Sequence, residues 1–210
     1  MRGRYALLGL LAAVIALGLV LPGLVDQTAL PTPNGRLIGD AVWSAGSHPA
    51  PGFTLANQKR GVTRLWDLKG QVVLLTFMDS LCLTDCPIEA AELSLMQRQL
   101  GPGLAPLILI VSTDPAGDTA SNIHKFVARY HLGQPYLWLT GSAGQLRRVW
   151  REYGIVVSSA STHSSAIYLI DRWGDEREGW GVPFPSTEFE RSVRVLEAHY
   201  STGWRWPWAL

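Results

Sequence analysis

Cysteine is nearly absent from this 210-residue chain: it has two, and both lie in one stretch, "SLCLTDCP", residues 80–87. No other cysteine remains to build a disulfide framework. A bridge between Cys82 and Cys86 would close a four-residue step, which removes little entropy from the unfolded chain. A fold-stapling disulfide is therefore the weakest reading of the pair. Charge is scarce too, at 17% of residues with a formal net charge of +1. That leaves no basic surplus for nucleic acid or another polyanion. There is no internal repeat and no low-complexity tract. The high apolar content, with nine tryptophans, excludes a disordered chain.

Charge is missing altogether from Tyr5–Val25, which follows Arg2 and Arg4. Its length matches the roughly 20 apolar residues that a helix needs to cross a hydrocarbon core. The arginines place the preceding end in the cytoplasm and the rest of the chain outside it. A cleaved signal peptide is the rival reading, but its apolar core is shorter, about 7–15 residues, and ends in a small-x-small site. No A-x-A pattern and no cysteine for lipid attachment are present here. The expected organisation is a membrane anchor over 1–25, a Pro/Gly-rich linker over 26–47, a globular domain over 48–201 and a Trp-rich tail over 202–210. The expected location is the cell membrane, single-pass, with the C-terminal domain on the extracytoplasmic side. The tail, "GWRWPWAL", suits either a membrane interface or packing against the domain.

Between linker and tail, short apolar runs alternate with helical patterns. Phe53 and Leu55 mark a short strand, followed by a turn at "NQKRG". "QVVLLTFM", Gln71–Met78, is a continuous apolar run that fits a buried central strand. A helix then starts at Pro87 and ends at Gly101, with Ile88, Ala91, Leu95 and Met96 as its apolar face. A second strand covers Pro106–Thr113, and a helix capped by Asp118 or Thr119 follows. "PYLWLTG" is a strand, and Ser142 caps the next helix. Ala166–Asp171 is a strand, "REGW" pairs back on it, and a final helix is capped at Ser186. This order predicts βαβ crossovers and an α/β, thioredoxin-like fold: a central mixed sheet flanked by helices, behind an N-terminal transmembrane helix.

The cysteine loop lies at the C-terminal end of a strand, where ligand chemistry collects in open α/β sheets. Thiols at the start of a helix meet its positive end, which favours thiolate. Thiolate both attacks disulfides and binds soft metals, so a redox couple and a metal site remain open. The spacing is not C-x-x-C; one extra residue widens the loop. Two thiolates make an open metal site, and the five histidines are the candidates for a third donor. His48 precedes the domain, His124 and His131 read as helix-surface residues, and His199 sits near the end of the last helix. His163 differs: it stands in "SSASTHSSAIYLID", a polar, flexible loop feeding an apolar strand. In a thioredoxin-like topology that loop faces the cysteine loop and carries a cis-proline. No proline occurs between Tyr153 and Asp171, and His163 is the candidate third ligand. The alternative is a loop histidine with no task. Asp79 and Asp85 read as solvated loop acids, Met78 as a buried strand end, and Asp114 and Asp118 as loop and cap residues.

These residues resemble the Sco/SenC family of thioredoxin-like copper proteins over about residues 50–199. The family's C-x-x-x-C-P stands as Cys82-Leu83-Thr84-Asp85-Cys86-Pro87, and its S-x-D-P-x-x-D-T as Ser112 through Thr119. Its histidine before a Y-L-I-D strand stands as His163 ahead of Tyr168-Leu169-Ile170-Asp171. The resemblance implies copper, Cu(I) and also Cu(II), held by Cys82, Cys86 and His163. It implies a chaperone for the binuclear copper centre of cytochrome c oxidase, whose partner is the subunit carrying that centre, with other copper chaperones or thiol reductants beside it. A thiol–disulfide oxidoreductase that keeps partner cysteines reduced, with Cys82 and Cys86 as its redox pair, is the alternative. Three positions depart from the family. Leu83 and Thr84 replace its usual proline and acid, and Thr162 replaces the acid before the histidine. A peroxiredoxin is excluded, because its P-x-x-x-T/S-x-x-C context and activating arginine are both missing.

Overall fold

A computed structural model describes residues 35–159 and 162–201. The anchor over 1–25, the first part of the linker and the tail over 202–210 lie outside the described residues. Among the described residues no helix is long and apolar enough to cross a membrane.

Among the described residues ten strands and four α-helices follow in order, with a 3-10 turn at Leu65–Leu68: β1 Ala41–Val42, β2 Thr54–Asn57, β3 Val62–Arg64, β4 Val73–Met78, α1 Asp85–Leu100, β5 Leu107–Ser112 and α2 Ala120–Arg129. Then come β6 Tyr136–Thr140, α3 Ala143–Glu152, β7 Val157–Ser159, β8 Thr162–His163, β9 Ala166–Ile170, β10 Glu176–Gly181 and α4 Ser186–Ser201. Eight strands form one sheet in the order β1-β10-β9-β4-β5-β6-β2-β3. β4, β5 and β6 run parallel, while β9 lies antiparallel to β4. The expected mixed α/β sheet is present.

β4 is buried along its whole length because both faces of the sheet are covered. Strand alternation divides its side chains between two cores. Leu74 and Met78, with Ile108 and Ile110 of β5, join the core of α1, α2 and α4. Val73, Leu75 and Phe77, with Leu109 and Val111, face the core that holds Leu146 and Val149 of α3. Local sequence sets the helix starts. The Thr119 hydroxyl accepts from Asn122 N at 3.2 Å, and Ser142 with Gln145 forms a reciprocal capping box.

α1 departs from its expected face. Ile88, Ala91 and Leu95 point to solvent, and the buried side is Cys86, Glu89, Ala90, Leu93, Met96 and Leu100, with Ser94 and Gln97. The polar members of that side are tolerated because the neighbouring chain satisfies them. Ser94 Oγ donates to His131 O at 2.6 Å, and Gln97 makes two bonds to the Gly133 backbone, at 2.9 and 2.8 Å. The helix also begins at Asp85, before the proline, so Cys86 sits inside its first turn. Ser186 is likewise the first residue of α4 and not its cap. The polar run around His163 is not a plain loop. β7 and β8 pair as a small antiparallel hairpin, with Val157 opposite His163.

Residues 35–43 pack on the domain. Leu37 is buried in the core, Ile38 N donates to Glu178 Oε1 at 2.6 Å, and β1 pairs with the edge of β10.

Candidate metal centre

Three elements bring the candidate donors together. The loop after β4 supplies Cys82, the first turn of α1 supplies Cys86, and the β7–β8 hairpin supplies His163. One donor atom from each lies within 4.8 Å of the other two. Cys86 Sγ is 3.6 Å from His163 Nε2. Both cysteines are free thiols.

The loop that carries Cys82 is held from below. Asp118 Oδ1 accepts from Ser80 N at 2.8 Å, while its Oδ2 accepts from Ser112 Oγ at 2.5 Å and Trp138 Nε1 at 3.1 Å. Asp118 is thus a buried clamp joining the loop to β5 and β6, where the sequence suggested only a cap. Asp79 also differs from expectation. It is 2% exposed, not solvated, and its Oδ1 accepts from Leu81 N at 2.7 Å to close the turn. Burial pushes both carboxyls above the usual range, and the donated hydrogen bonds oppose that shift. Met78 is fully buried at the strand end, as expected. Asp85 is exposed in the first turn of α1 and belongs to no donor cluster. His124 and His131 are exposed. His48 stacks on Trp43 and pairs with Glu176 at 3.3 Å, while the side chain of His199 lies outside the described atoms.

The two thiols are electrostatically unequal. Burial pushes Cys82 up, but hydrogen bonds from the side chain and backbone of Thr84 and of Cys86 together outweigh it and hold the thiol below its ordinary value. Its Sγ lies 3.5 Å from Thr84 Oγ1. Burial pushes Cys86 far up, and the neighbouring Cys82 adds to the shift. The helix start alone suggested that both thiols would favour thiolate. Only Cys82 is shifted in that direction, because desolvation of the fully buried Cys86 exceeds what a helix terminus offers.

His163 is oriented for coordination. Its Nδ1 lies 3.1 Å from Ser164 O, and a carbonyl can only accept, so the proton sits on Nδ1. That leaves the Nε2 lone pair directed at Cys86 Sγ. An ion bound in a plane by three such donors at about 2.0–2.3 Å requires them about 3.5–4 Å apart. The observed cluster meets that spacing after small side-chain adjustment, so the residues fit a soft, three-coordinate cation.

Glu89, which in the sequence reads only as an acid suited to the N-terminal turns of the helix, belongs to the surroundings of the site. It is fully buried one helical turn after Cys86; Oε1 accepts from Thr76 Oγ1, and Oε2 has no hydrogen-bond partner. Burial pushes its carboxyl up to about 8, with the charge of Cys82 adding to the shift. The only sequence signal was an acid on the side of α1 that also carries Cys86, Ala90 and Leu93.

Fold and donor set together define a thioredoxin-like domain with a Cys-Cys-His soft-donor cluster. Residues 44–180 match the family model SCO1/SenC, and the chain belongs to that family. It is 34% identical over 122 residues to "Protein SCO2 homolog, mitochondrial" of Bos taurus, a match covering 57% of this chain and 45% of that one. The chain spans about half the length of the curated relatives it matches. Arabidopsis thaliana ScoI, solved with copper bound, superposes with a TM-score of 0.62 at 21% identity, covering 72% of this chain and 99% of that one. BsSco, described with a disulfide switch as a member of the Sco family of cytochrome c oxidase assembly proteins, superposes with a TM-score of 0.61 at 24% identity, covering 75% and 99%.

Proposed function

We propose that this chain is a membrane-anchored copper chaperone whose cargo is held by Cys82 Sγ, Cys86 Sγ and His163 Nε2, and that it assists assembly of the binuclear copper centre of cytochrome c oxidase. The observation that carries the reading is the convergence of these three donors within 4.8 Å. Two thiolates and an imidazole suit Cu(I), and with an added oxygen donor they suit Cu(II). The Cys82 thiol is held below its ordinary value, and His163 turns Nε2 toward Cys86 Sγ. Cys86 must give up a proton as the cation arrives, so loading releases protons and weakens as pH falls. Family membership and the copper-bound state of Arabidopsis thaliana ScoI support copper as the cation.

In this reading residues 1–25 anchor the chain in the cell membrane, and 26–47 form a linker whose later part lies along β10. Residues 48–201 carry the copper site on the extracytoplasmic side, and 202–210 form the Trp-rich tail. The partner is the copper-centre subunit of the oxidase, with copper chaperones or thiol reductants as suppliers. The protein is a metallochaperone more than an enzyme. The test is copper stoichiometry and affinity of the full chain in detergent, reduced. One copper per chain is expected, and His163→Ala is expected to weaken binding by at least about tenfold. Equal affinity in the variant would remove His163 from the site. Thiol–disulfide exchange is the second reading, favoured by the lowered Cys82 thiol beside a second free cysteine. Exchange with a partner disulfide that is unaffected by His163→Ala would favour it.

A further inference from the structure

Cys82 opens onto a cleft of about 200 Å³ between the cysteine loop and α2. Leu81 and Leu83 form the loop side, and Leu83 is 84% exposed. The facing wall is α2, where Phe126 and Tyr130 supply an aromatic floor. Lys125 and Arg129, four residues apart and therefore on one side of the helix, form the rim. Both are exposed, neither makes an ion pair among the described residues, and Arg129 lies 5.8 Å from the Tyr130 ring centre. No carboxylate lines the cleft: Asp79 and Asp118 are buried behind the loop, engaged with Leu81 N and Ser80 N. Apolar surface, two free cations and a reactive sulfur thus meet in one open groove.

We infer that this cleft docks an acidic, cysteine-bearing segment of the copper-receiving protein, with a carboxylate on Lys125 and Arg129 and an apolar side chain against Leu83 and Phe126. The inference rests on the proposed function for the identity of the partner, and on charge complementarity for the chemistry of the segment. Two unpaired cations beside an apolar floor favour an anion next to an aliphatic group over a cation. Cys82, 7% exposed and in the cleft lining, is the more accessible thiol of the pair for an incoming sulfur, and Cys86, at 0%, stays behind it.

The test uses the full chain in detergent, copper-free and reduced, against three synthetic peptides. Each contains one internal disulfide and a leucine, and they differ only in carrying glutamate, glutamine or lysine beside the first cysteine. The Cys82 thiolate attacks a peptide sulfur, the peptide S–S bond breaks, and the leaving thiolate takes up a proton. Cys86 then loses its proton and attacks Cys82 Sγ, which releases the second peptide thiol. The peptide is reduced by two electrons and the cysteine pair is oxidised by two. Rates are normalised to uncharged hydroxyethyl disulfide, which removes any change in the intrinsic reactivity of Cys82. The glutamate peptide is expected to react about tenfold faster than the lysine peptide at low salt, with the ratio falling to within about twofold at about 0.5 M salt. Lys125→Glu with Arg129→Glu is expected to invert the order. Lys59→Glu, in the β2–β3 turn toward the opposite end of the sheet, is expected to leave it unchanged. Equal rates for all three peptides, an order that survives the double reversal, or no exchange with any peptide would each overturn the inference. The double variant is expected to keep wild-type copper stoichiometry. A wild-type chain that binds copper but shows no peptide preference sinks the groove alone, whereas a wild-type chain that binds no copper sinks the functional reading.

Discussion

Replacing Glu89 with glutamine should remove a pH dependence that the wild-type domain carries across the neutral range. Glu89 is fully buried, and its carboxyl is raised from 4.5 to about 8, mainly by burial. The folded state therefore binds a proton that the unfolded state has already released. Below pH 4.5 both states are protonated and the group adds no pH dependence. Stability is lost as pH rises from 4.5 toward 8, and above that the loss is complete. Integrated between pH 5 and 8, the difference amounts to about 3.5 kcal/mol. Glutamine has the same shape, keeps an acceptor for Thr76 Oγ1 and cannot ionise. Glu176, pushed up to about 7 by burial, contributes over part of the same window, but it is present in both proteins and cancels in their difference. Cys86, with its thiol held far above the ordinary 9.0, acts only in more alkaline solution. The assay is urea unfolding of residues 35–201, reduced and metal-free, at intervals from pH 5 to 8. The stability of Glu89→Gln relative to wild type should rise by about 3 kcal/mol across that range, whatever the constant offset. A difference constant to within about 0.5 kcal/mol would show that Glu89 is already ionised in the fold. The consequence reaches the site, because an ionised Glu89 would push the neighbouring Cys86 thiol further up, and a neutral one does not.

Three further outcomes follow from the same geometry. Iodoacetamide at neutral pH should label Cys82 well before Cys86, since only the former is lowered and lines the cleft; equal labelling by mass spectrometry would contradict the assigned asymmetry. Leu93→Ala should cost about 2–5 kcal/mol in denaturant unfolding, and Leu95→Ala less than about 1, because the first is fully buried and the second is not. Asp118→Ala should cost about 3 kcal/mol or more, since it strands the Ser80, Ser112 and Trp138 donors; a variant as stable as wild type would remove the clamp from the account of the loop.

Much of the fold was legible because its signals are local. The run at β4 is apolar on every residue, and Thr119 and Ser142 cap the helices that follow them. The face of α1 was not legible. Ile88, Ala91 and Leu95 are apolar at helical spacing, yet the buried side includes Glu89, Ser94 and Gln97. Ser94 and Gln97 are satisfied by partners 37 and 36 residues away, Glu89 is bonded at one oxygen by Thr76, 13 residues away, and no window along the helix contains such partners. The site was legible in its residue types and not in its electrostatics. Cys82 and Cys86 share one loop and one helix start, so sequence assigns them one environment. Burial, which depends on the whole sheet, separates them. Asp79 failed for the same reason: a loop acid reads as solvated until β4 and β5 close over it.

That separation bears on how the site would work. Cys86 is buried and held as thiol, with His163 Nε2 at 3.6 Å; Cys82 stands at the lip, with Thr84 favouring its thiolate. On the copper reading, the fully buried Cys86 with the half-buried His163 retains the cation, and Cys82, which lines the cleft, exchanges it. Asp85, the acid inside the cysteine loop, is exposed at the start of α1 and outside the donor cluster. Neither Leu83 nor Thr84 supplies a carboxylate in its place. Three donors leave a cation open to a fourth, and the side of the site lined by Cys82 is the cleft bordered by Lys125 and Arg129. An incoming partner thiol would therefore meet the copper at the donor that is easiest to displace. On the two functions proposed, the same approach would deliver a partner disulfide to Cys82, so copper transfer and thiol exchange would share one entrance and compete for it.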